Sequence, residues 1–388
     1  MQTEIYPFRN PGQIIFGAGA LMKLPHEIKA LNGKKVLVVT DPGIASVGLL
    51  DRVVKLLKQN DLLVDTYAEV KPEPPVSSLD SCAAKVRENR YDVIVGLGGG
   101  SAIDVAKGLS VLSANPGVIS DYFGIEQVPC KGLPIIALPT TSGTGAEVTA
   151  NAVFVEETSK VKMTVQSRHI IPDVAIVDPE LTLSCPPALT AATGLDALAH
   201  AIESYTAQKA TPITEMYALE AIKYISRYLR KATYDGKNLE ARTGMSLGSL
   251  LAGVSLANAG INAVHAMAHS LGGRFGVSHG VANGLLLSYV MEYNMMADLE
   301  KFATIARAMG ENVAGLTLRE AAIKAVDSVR SLCIDVNIPL KISSLIPGFG
   351  RREVQELIPG VMSNVRCMSN NPRVLTAQEV EAIYMNAI

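Results

Sequence analysis

Tyr91-Asp92-Val93-Ile94-Val95-Gly96-Leu97-Gly98-Gly99-Gly100-Ser101-Ala102-Ile103-Asp104 is the stretch on which the fold turns. Residues 91–97 are a short apolar run rich in β-branched side chains, the composition of a strand buried on both faces, and residues 102–112 read as a helix. Between them stand Gly98, Gly99, Gly100 and Ser101. Where a buried strand turns into a helix, bare backbone N–H groups and the positive end of the helix dipole converge, and the lack of side chains lets an anion approach. The spacing is not G-x-G-x-x-G, so the turn taken alone suits tight packing as well as phosphate binding.

Working outward, strands are expected over residues 35–40, 62–67, 133–138, 151–155 and 174–178, with helices over 49–60 and 78–89. That alternation predicts a largely parallel sheet covered by helices. Leu138-Pro139-Thr140-Thr141-Ser142-Gly143-Thr144-Gly145 follows one of these strands and is dense in hydroxyls and glycine. Together with the first glycine turn it could complete a dinucleotide site at the strand ends. Asp41, just past the 35–40 strand, is placed to accept hydrogen bonds from a ribose diol and to repel a 2′-phosphate, which favours NAD over NADP. The competing role for Asp41 is to start the Asp41-Pro42-Gly43 turn.

Past Pro179 the β-branched runs give way to long helical patterns over 187–208, 211–231, 239–259 and 263–271. The expected division is an α/β domain over 1–183 and a helical domain over 184–388. The whole chain has 388 residues, with 35 Lys and Arg against 37 Asp and Glu, a net charge of −2. No field exists to gather phosphate backbones or anionic lipid, so nucleic acid is not an expected partner. With 48% apolar and 19% charged residues, general disorder is excluded. Cys82, Cys130, Cys185, Cys333 and Cys367 are scattered, with no C-x-x-C pair, and residues 1–10 carry Glu4, Pro7 and Arg9 instead of an apolar signal stretch. A cytoplasmic protein is expected. Between Arg242 and Arg274 there is no charged residue, but Asn258, Asn262, His265, His269 and many Gly and Ser fit packed helices better than a membrane span.

That same stretch holds two of the histidines, His265 and His269. Of six histidines, His200, His265, His269 and His279 lie in the helical half. Asp196 and His200 are spaced i,i+4, as are His265 and His269, and on a helix such pairs share a face. His279 follows Gly272-Gly273. A carboxylate and four imidazoles exceed the ligand count of a catalytic ion with an open position, so one of them has another role, and spacing does not decide between His265 and His269. Nitrogen and oxygen donors without thiolate suit Fe²⁺, Zn²⁺, Mn²⁺, Co²⁺ or Ni²⁺.

In combination, G-G-G-S-A-I-D (98–104), P-T-T-S-G-T-G-A-E (139–147), D-P-E-L (178–181), G-L-D-A-L-A-H-A-I-E (194–203), H-A-M-A-H-S-L-G-G (265–273) and H-G (279–280) resemble the iron-dependent, group III alcohol dehydrogenases over essentially the full chain. That family includes lactaldehyde reductase, propanediol dehydrogenase and bacillary methanol dehydrogenase. The resemblance implies a Rossmann-like dinucleotide-binding α/β domain and a helical metal-binding domain, as in dehydroquinate synthase. It implies NAD and a divalent metal, Fe²⁺ first, held by Asp196, His200, His265 and His279. His269 would then be the catalytic residue beside nicotinamide and substrate. Gly98, Gly99, Gly100, Ser101, Thr140, Thr141, Thr144, Asn151 and Lys162 match nucleotide contacts, and Asp41 the acid associated with NAD. The implied reaction is hydride transfer between a small alcohol or aldehyde and the nicotinamide, in a homo-oligomer.

Ser278 and Ser288 stand where prolines are frequent, and neither change removes a ligand; Pro75 replaces a threonine beside Glu73. A lyase or cyclase of the dehydroquinate synthase type would surround its metal with cations, and residues 196–279 carry few near the ligands. A non-catalytic nucleotide-binding protein would be expected to have lost a ligand.

Overall fold

The computed structural model describes residues 5–157 and 161–388. Its strands are β1 (Gln13–Phe16), β2 (Lys35–Val39), β3 (Leu63–Tyr67), β4 (Val93–Gly98), β5 (Gly124–Ile125), β6 (Ile135–Pro139), β7 (Asn151–Glu156), β8 (Val161–Gln166) and β9 (Val174–Val177). Six of them pair in parallel in the order β1-β9-β6-β4-β2-β3. The helices of this part are α1 (Leu24–Ala30), α2 (Pro42–Ser46), α3 (Leu49–Lys58), α4 (Val76–Asn89) and α5 (Gly100–Ala114).

Alternation along the strands explains why the sheet is covered twice. Val36, Val38, Val93 and Val95 pack with Leu24, Ile28, Val53 and Leu57 of α1 and α3. Their neighbours Leu37, Val39 and Ile94 share the opposite core with Leu79, Val86, Val105 and Leu109 of α4 and α5. Both faces of each central strand are therefore apolar, and a continuous apolar run is the outcome. The chain order changes direction around β4, and the glycine turn leaves the carboxyl end of that strand, where open α/β sheets carry their ligands.

Three features differ from the sequence reading. Residues 151–155 form a strand, but β7 lies outside the main sheet, antiparallel to β8 in a three-stranded sheet of order β5-β8-β7. Period-two alternation identifies a strand without saying which sheet it joins. The edge strand β1, which pairs with β9, was not anticipated, nor were β5 and β8. Asp41-Pro42-Gly43 opens the short helix α2 instead of ending in a turn.

The second part is helical: α6 (Pro187–Thr206), α7 (Pro212–Tyr234), α8 (Leu239–Ala259), α9 (Ala263–Phe275), α10 (His279–Asn294), α11 (Leu299–Ala308), α12 (Leu318–Asp335), α13 (Arg351–Ser363), α14 (Val365–Met368) and α15 (Ala377–Asn386). Contacts divide the chain into Asn10–Cys185 and Pro186–Ile388, with the described residues up to Arg9 grouping with the latter. Phe8 stacks on Tyr217 there, and the backbone of Arg9 exchanges hydrogen bonds with Asn258. The uncharged stretch resolves into α8 and α9, bent by 102° at their junction. No single described helix is long and apolar enough to cross a membrane. Met245, Ala252, Val264, Met267 and Leu271 of the bent pair lie in the core.

Candidate metal centre and nucleotide-binding turn

Three helices converge on one carboxylate. Asp196 and His200 project from α6, His265 and His269 from α9, and His279 from the first residue of α10. The approach of α10 to α6 depends on small residues. A Cβ at Gly280 would lie 2.3 Å from the carbonyl oxygen of Ala192, and one at Gly284 would lie 2.9 Å from Leu195. Side chains there would push away the helix that carries His279.

Asp196 Oδ1 lies 3.8 Å from His200 Nε2, 3.6 Å from His265 Nε2 and 3.4 Å from His279 Nε2. One donor atom from each of these residues falls within 4.8 Å of every other. Asp196, His200 and His265 are buried, whereas the His279 side chain is 29% exposed, so the cluster has one accessible side. The His200 and His265 rings stack at 4.7 Å. His269 stands beside the set, its ring stacked on His279 at 5.2 Å and edge-on to His265 at 6.0 Å. His265 joins the converging donors and His269 adjoins them.

Glu203, which the sequence reading did not single out, accounts for the orientation of His265. Its carboxylate accepts from His265 Nδ1 and, through Oε1, from the backbone of Val264 at 2.7 Å. The hydrogen bond from Nδ1 to Glu203 directs Nε2 toward Asp196, the carboxylate–histidine arrangement that steers ligating imidazoles, and a cation bound there would displace the proton that Nε2 otherwise carries. Burial opposes charge on His265, but Glu203 and Asp196 overcome it and push its pKa up to about 9. Burial would likewise raise Asp196; His200, His279 and His265 reverse that and hold its carboxyl well below the usual range. The cluster therefore attracts positive charge strongly. One carboxylate and three imidazoles, converging and mostly buried, fit a divalent cation, and thiolate is absent from the set.

Asn283 is a second unanticipated member. It is fully buried one turn beyond His279, and its Nδ2 donates to Asp196 Oδ1 at 2.6 Å. The i,i+4 spacing from His279 was present in the sequence, but a neutral amide carries no charge signal.

In the α/β unit, the glycine turn is enclosed by the hydroxyl-rich loop. A Cβ at Gly100 would lie 2.9 Å from Thr144 Cγ2, and one at Gly99 3.4 Å from Thr141 Oγ1. Gly98 has φ +153, and a Cβ there would meet Ala102 at 2.6 Å and Asp41 Oδ2 at 3.3 Å. Gly100 and Ser101 begin α5, so unbonded N–H groups of its first turn are at hand for an anion. Asp41 Oδ1 accepts from Ile44 N at 3.0 Å, capping α2, while Oδ2 stays on the side of Gly98. Both roles weighed for Asp41 are therefore compatible.

Thr40 Oγ1, Thr140 Oγ1 and Asn151 Oδ1 are buried with no hydrogen-bond partner among the described residues. Buried polar atoms of this kind are uncommon. Thr140, whose N–H donates to the Gly98 carbonyl at 3.0 Å, and Thr40, which precedes Asp41, are at the glycine cradle and fit a polar ligand such as a dinucleotide. Lys162 on β8 pairs with Glu73 at 2.6 Å.

Lys107 anchors this loop and was also missed. Its Nζ is buried and donates to the Thr149 carbonyl at 2.9 Å and the Asn151 carbonyl at 2.7 Å. Burial pulls Lys107 down to about 8 against the opposing pull of Asp104 and Glu147, and burial pushes Asp104 up to about 6 and Glu147 to about 7. The signal in the sequence was a D-x-x-K pair on an otherwise apolar helix.

Comparison with known proteins matches both halves of the chain. Residues 11–179 match the family described as iron-containing alcohol dehydrogenase, and residues 190–388 match the Fe-containing alcohol dehydrogenase family, C-terminal. The chain is 41% identical over 373 residues to long-chain-alcohol dehydrogenase 1 of Geobacillus thermodenitrificans, covering 95% of this chain and 93% of that protein. It is 37% identical to the NAD-dependent methanol dehydrogenase of Bacillus methanolicus, covering 97% and 98% respectively. The crystal structure of a 1,3-propanediol oxidoreductase superposes with a TM-score of 0.96 at 38% identity, covering 99% of this chain and 100% of that one. With both halves matched and this identity sustained over nearly the full length, the chain belongs to the iron-containing alcohol dehydrogenase family.

Proposed function

We propose that this protein is a metal-dependent, NAD-linked alcohol dehydrogenase, working in reverse as an aldehyde reductase, on short-chain alcohols or diols. The observation that carries the reading is the convergence of Asp196, His200, His265 and His279. When bound, a divalent cation, Fe²⁺ first, supplies Lewis acidity to the alcohol or carbonyl oxygen, and NAD takes or gives the hydride.

The remaining work falls to the chain. Asp196 brings negative charge into a cluster of neutral donors, and Glu203 keeps the His265 tautomer that points Nε2 inward. His269, stacked on the partly exposed His279, is placed to pass the alcohol proton outward. Gly98, Gly99, Gly100 and Ser101 receive the pyrophosphate, with Thr140, Thr141, Thr144 and Asn151 donating or accepting around it. Asp41 Oδ2 addresses the ribose, and Lys162, held by Glu73, adds a cation near the nucleotide.

The lyase or cyclase reading is disfavoured by the cluster's partners. That reading expects cations around the metal, whereas Asp196 pairs with imidazoles and a second carboxylate, Glu203, pairs with His265. The proposed compartment is the cytoplasm, since no disulfide joins the five cysteines. The proposed assembly is a homo-oligomer, on the family resemblance.

The test is metal analysis of anaerobically purified protein, followed by nicotinamide absorbance with NAD and a panel of primary alcohols and short diols. NAD reduction that disappears on chelation and returns with Fe²⁺ is the expected result. Metal-free protein that refuses Fe²⁺, or turnover indifferent to chelator, overturns the proposal.

A further inference from the structure

Helices α8 and α9 meet at an angle of 102°, with Gly260, Ile261 and Asn262 between them. Gly260 has φ +78 and ψ −177, a conformation open essentially to glycine. A break of this kind orphans backbone groups on both sides, the last carbonyls of α8 and the first N–H groups of α9. Distant residues receive them. Asn262 makes no side-chain cap on α9; instead Glu203 Oε1 accepts from Val264 N at 2.7 Å and His265 N at 3.4 Å. On the carbonyl side, Asn370 Nδ2 donates to Ala259 at 2.9 Å and to Ile261 at 3.1 Å. A Cβ at Gly260 would lie 3.0 Å from that nitrogen.

Asn370 is held from the other direction by the exit of α6. Its Oδ1 accepts from Lys209 N at 3.1 Å and its backbone carbonyl from Gln208 N at 2.9 Å, both just past the end of that helix. One buried amide, with both its hydrogens and its oxygen in use, thus ties the end of α6 to the α8–α9 bend. These are the helices that must agree at the cluster: α6 carries Asp196, His200 and Glu203, and His265 lies in the first turn of α9, one turn beyond Ile261. We infer that Asn370 is a positioning residue for the metal centre, setting the place at which α9 brings His265 to the residues of α6. The inference rests on the reading of Asp196, His200, His265 and His279 as the metal ligands. It adds the C-terminal segment, remote from them in sequence, to what holds them. The neighbouring Asn371 supplies a contrast. It is equally buried, but its Nδ2 donates to Asn294 at 2.7 Å, at the last residue of α10, and to the Arg373 carbonyl.

The experiment compares the full-length wild-type chain, Asn370→Ala and Asn371→Ala, each stripped with chelator and titrated with Co²⁺ well below its Tm. The readouts are the Co²⁺ dissociation constant, the visible absorption of the Co²⁺ form and the Tm of the stripped protein. Asn370→Ala is expected to weaken Co²⁺ binding by about 10-fold, the lower end for residues that act through a ligand, and to alter the absorption. Asn371→Ala also loses buried hydrogen bonds, so its Tm is expected to fall while its Co²⁺ affinity and spectrum stay those of wild type. An Asn370→Ala protein with lowered Tm but wild-type affinity and spectrum overturns the inference, because the residue would then serve packing alone. Equal weakening in Asn371→Ala overturns it too, since general loosening would account for both. If the alanine protein fails to fold, Asn370→Ser decides: a hydroxyl keeps one donor but cannot serve both carbonyls, so weaker Co²⁺ binding is expected and wild-type binding overturns the inference. A wild-type chain that binds no Co²⁺ would instead sink the four-ligand reading beneath it.

Discussion

In the α/β unit the candidate site is made largely of backbone and of absent side chains: Gly98, Gly99 and Gly100 beneath Thr141 and Thr144, at the start of α5. In the helical unit it is made almost wholly of side chains, gathered on Asp196 from three helices. The first leaves Thr40, Thr140 and Asn151 with unpartnered buried atoms. The second largely satisfies itself, because Glu203 accepts a hydrogen bond from His265 Nδ1 and Asn283 donates to Asp196. A cradle of the first kind is vulnerable to any added atom and tolerant of charge changes nearby. A cluster of the second kind is vulnerable to the loss of any partner, since each buried polar group is positioned by another.

The sharpest break in that comparison lies inside the helical unit. His265→Ala is expected to lose the metal and, with it, at least about 10³-fold in kcat/KM, the several kcal/mol a Lewis-acid cation supplies. His269→Ala is expected to keep the metal and lose about 10²-fold in kcat, as for a positioned proton relay. Metal analysis beside steady-state kinetics separates them, and swapped results would exchange the two assignments.

The α/β counterpart is Gly100→Ala. The new Cβ would sit 2.9 Å from Thr144 Cγ2, forcing the two loops apart. A rise of about 10–100-fold in the KM for NAD is expected, with metal content unchanged. Loss of metal in this variant would show that the two sites are not independent in the way their construction suggests. Between these stands Glu203→Gln, which keeps the shape and weakens the grip on His265 Nδ1. Metal affinity is expected to fall about 10-fold, at the lower end of the range for outer-shell partners, measured by competition with a chromogenic chelator.

The same contrast governs what could be read from the sequence. The central strands were legible because burial on both faces leaves an uninterrupted apolar run, as in Val93–Gly98. The edge strand Gln13–Phe16 has no fully buried residue and left no such run. Asp196 and the histidines stood out because their surroundings carry so little charge. The choice between His265 and His269 could not be read, since both share one helical face. What the sequence hides is that Glu203, 62 positions away from His265, accepts a hydrogen bond from it. Asn283 and Lys107 escaped for the same reason: their importance lies in which long-range acceptors they meet, and spacing alone does not report that.

The smallest effect tests a buried charged cluster on the backbone-built side. Glu147 is buried near Lys107, and burial pushes its pKa up to about 7. Between about 4.5 and about 7 the folded chain holds a proton there that the unfolded chain has released. The contribution of Glu147 to stability is therefore complete at low pH and is lost as pH rises through about 7. Lys107 acts in the opposite sense: its folded pKa of about 8 makes stability rise with pH above that value, towards the unfolded lysine range. Glu147→Gln removes the first slope, lets the Lys107 slope begin at lower pH because Glu147 no longer holds the lysine up, and leaves the slope of Asp104, which burial pushes up to about 6. The fall in Tm from pH 5 to pH 7.5 is then expected to shrink by about 2–4 °C, what about 1 kcal/mol yields in a unit of this size. An unchanged slope would mean that Lys107 holds Glu147 ionised throughout, making the loop's anchor a permanent ion pair.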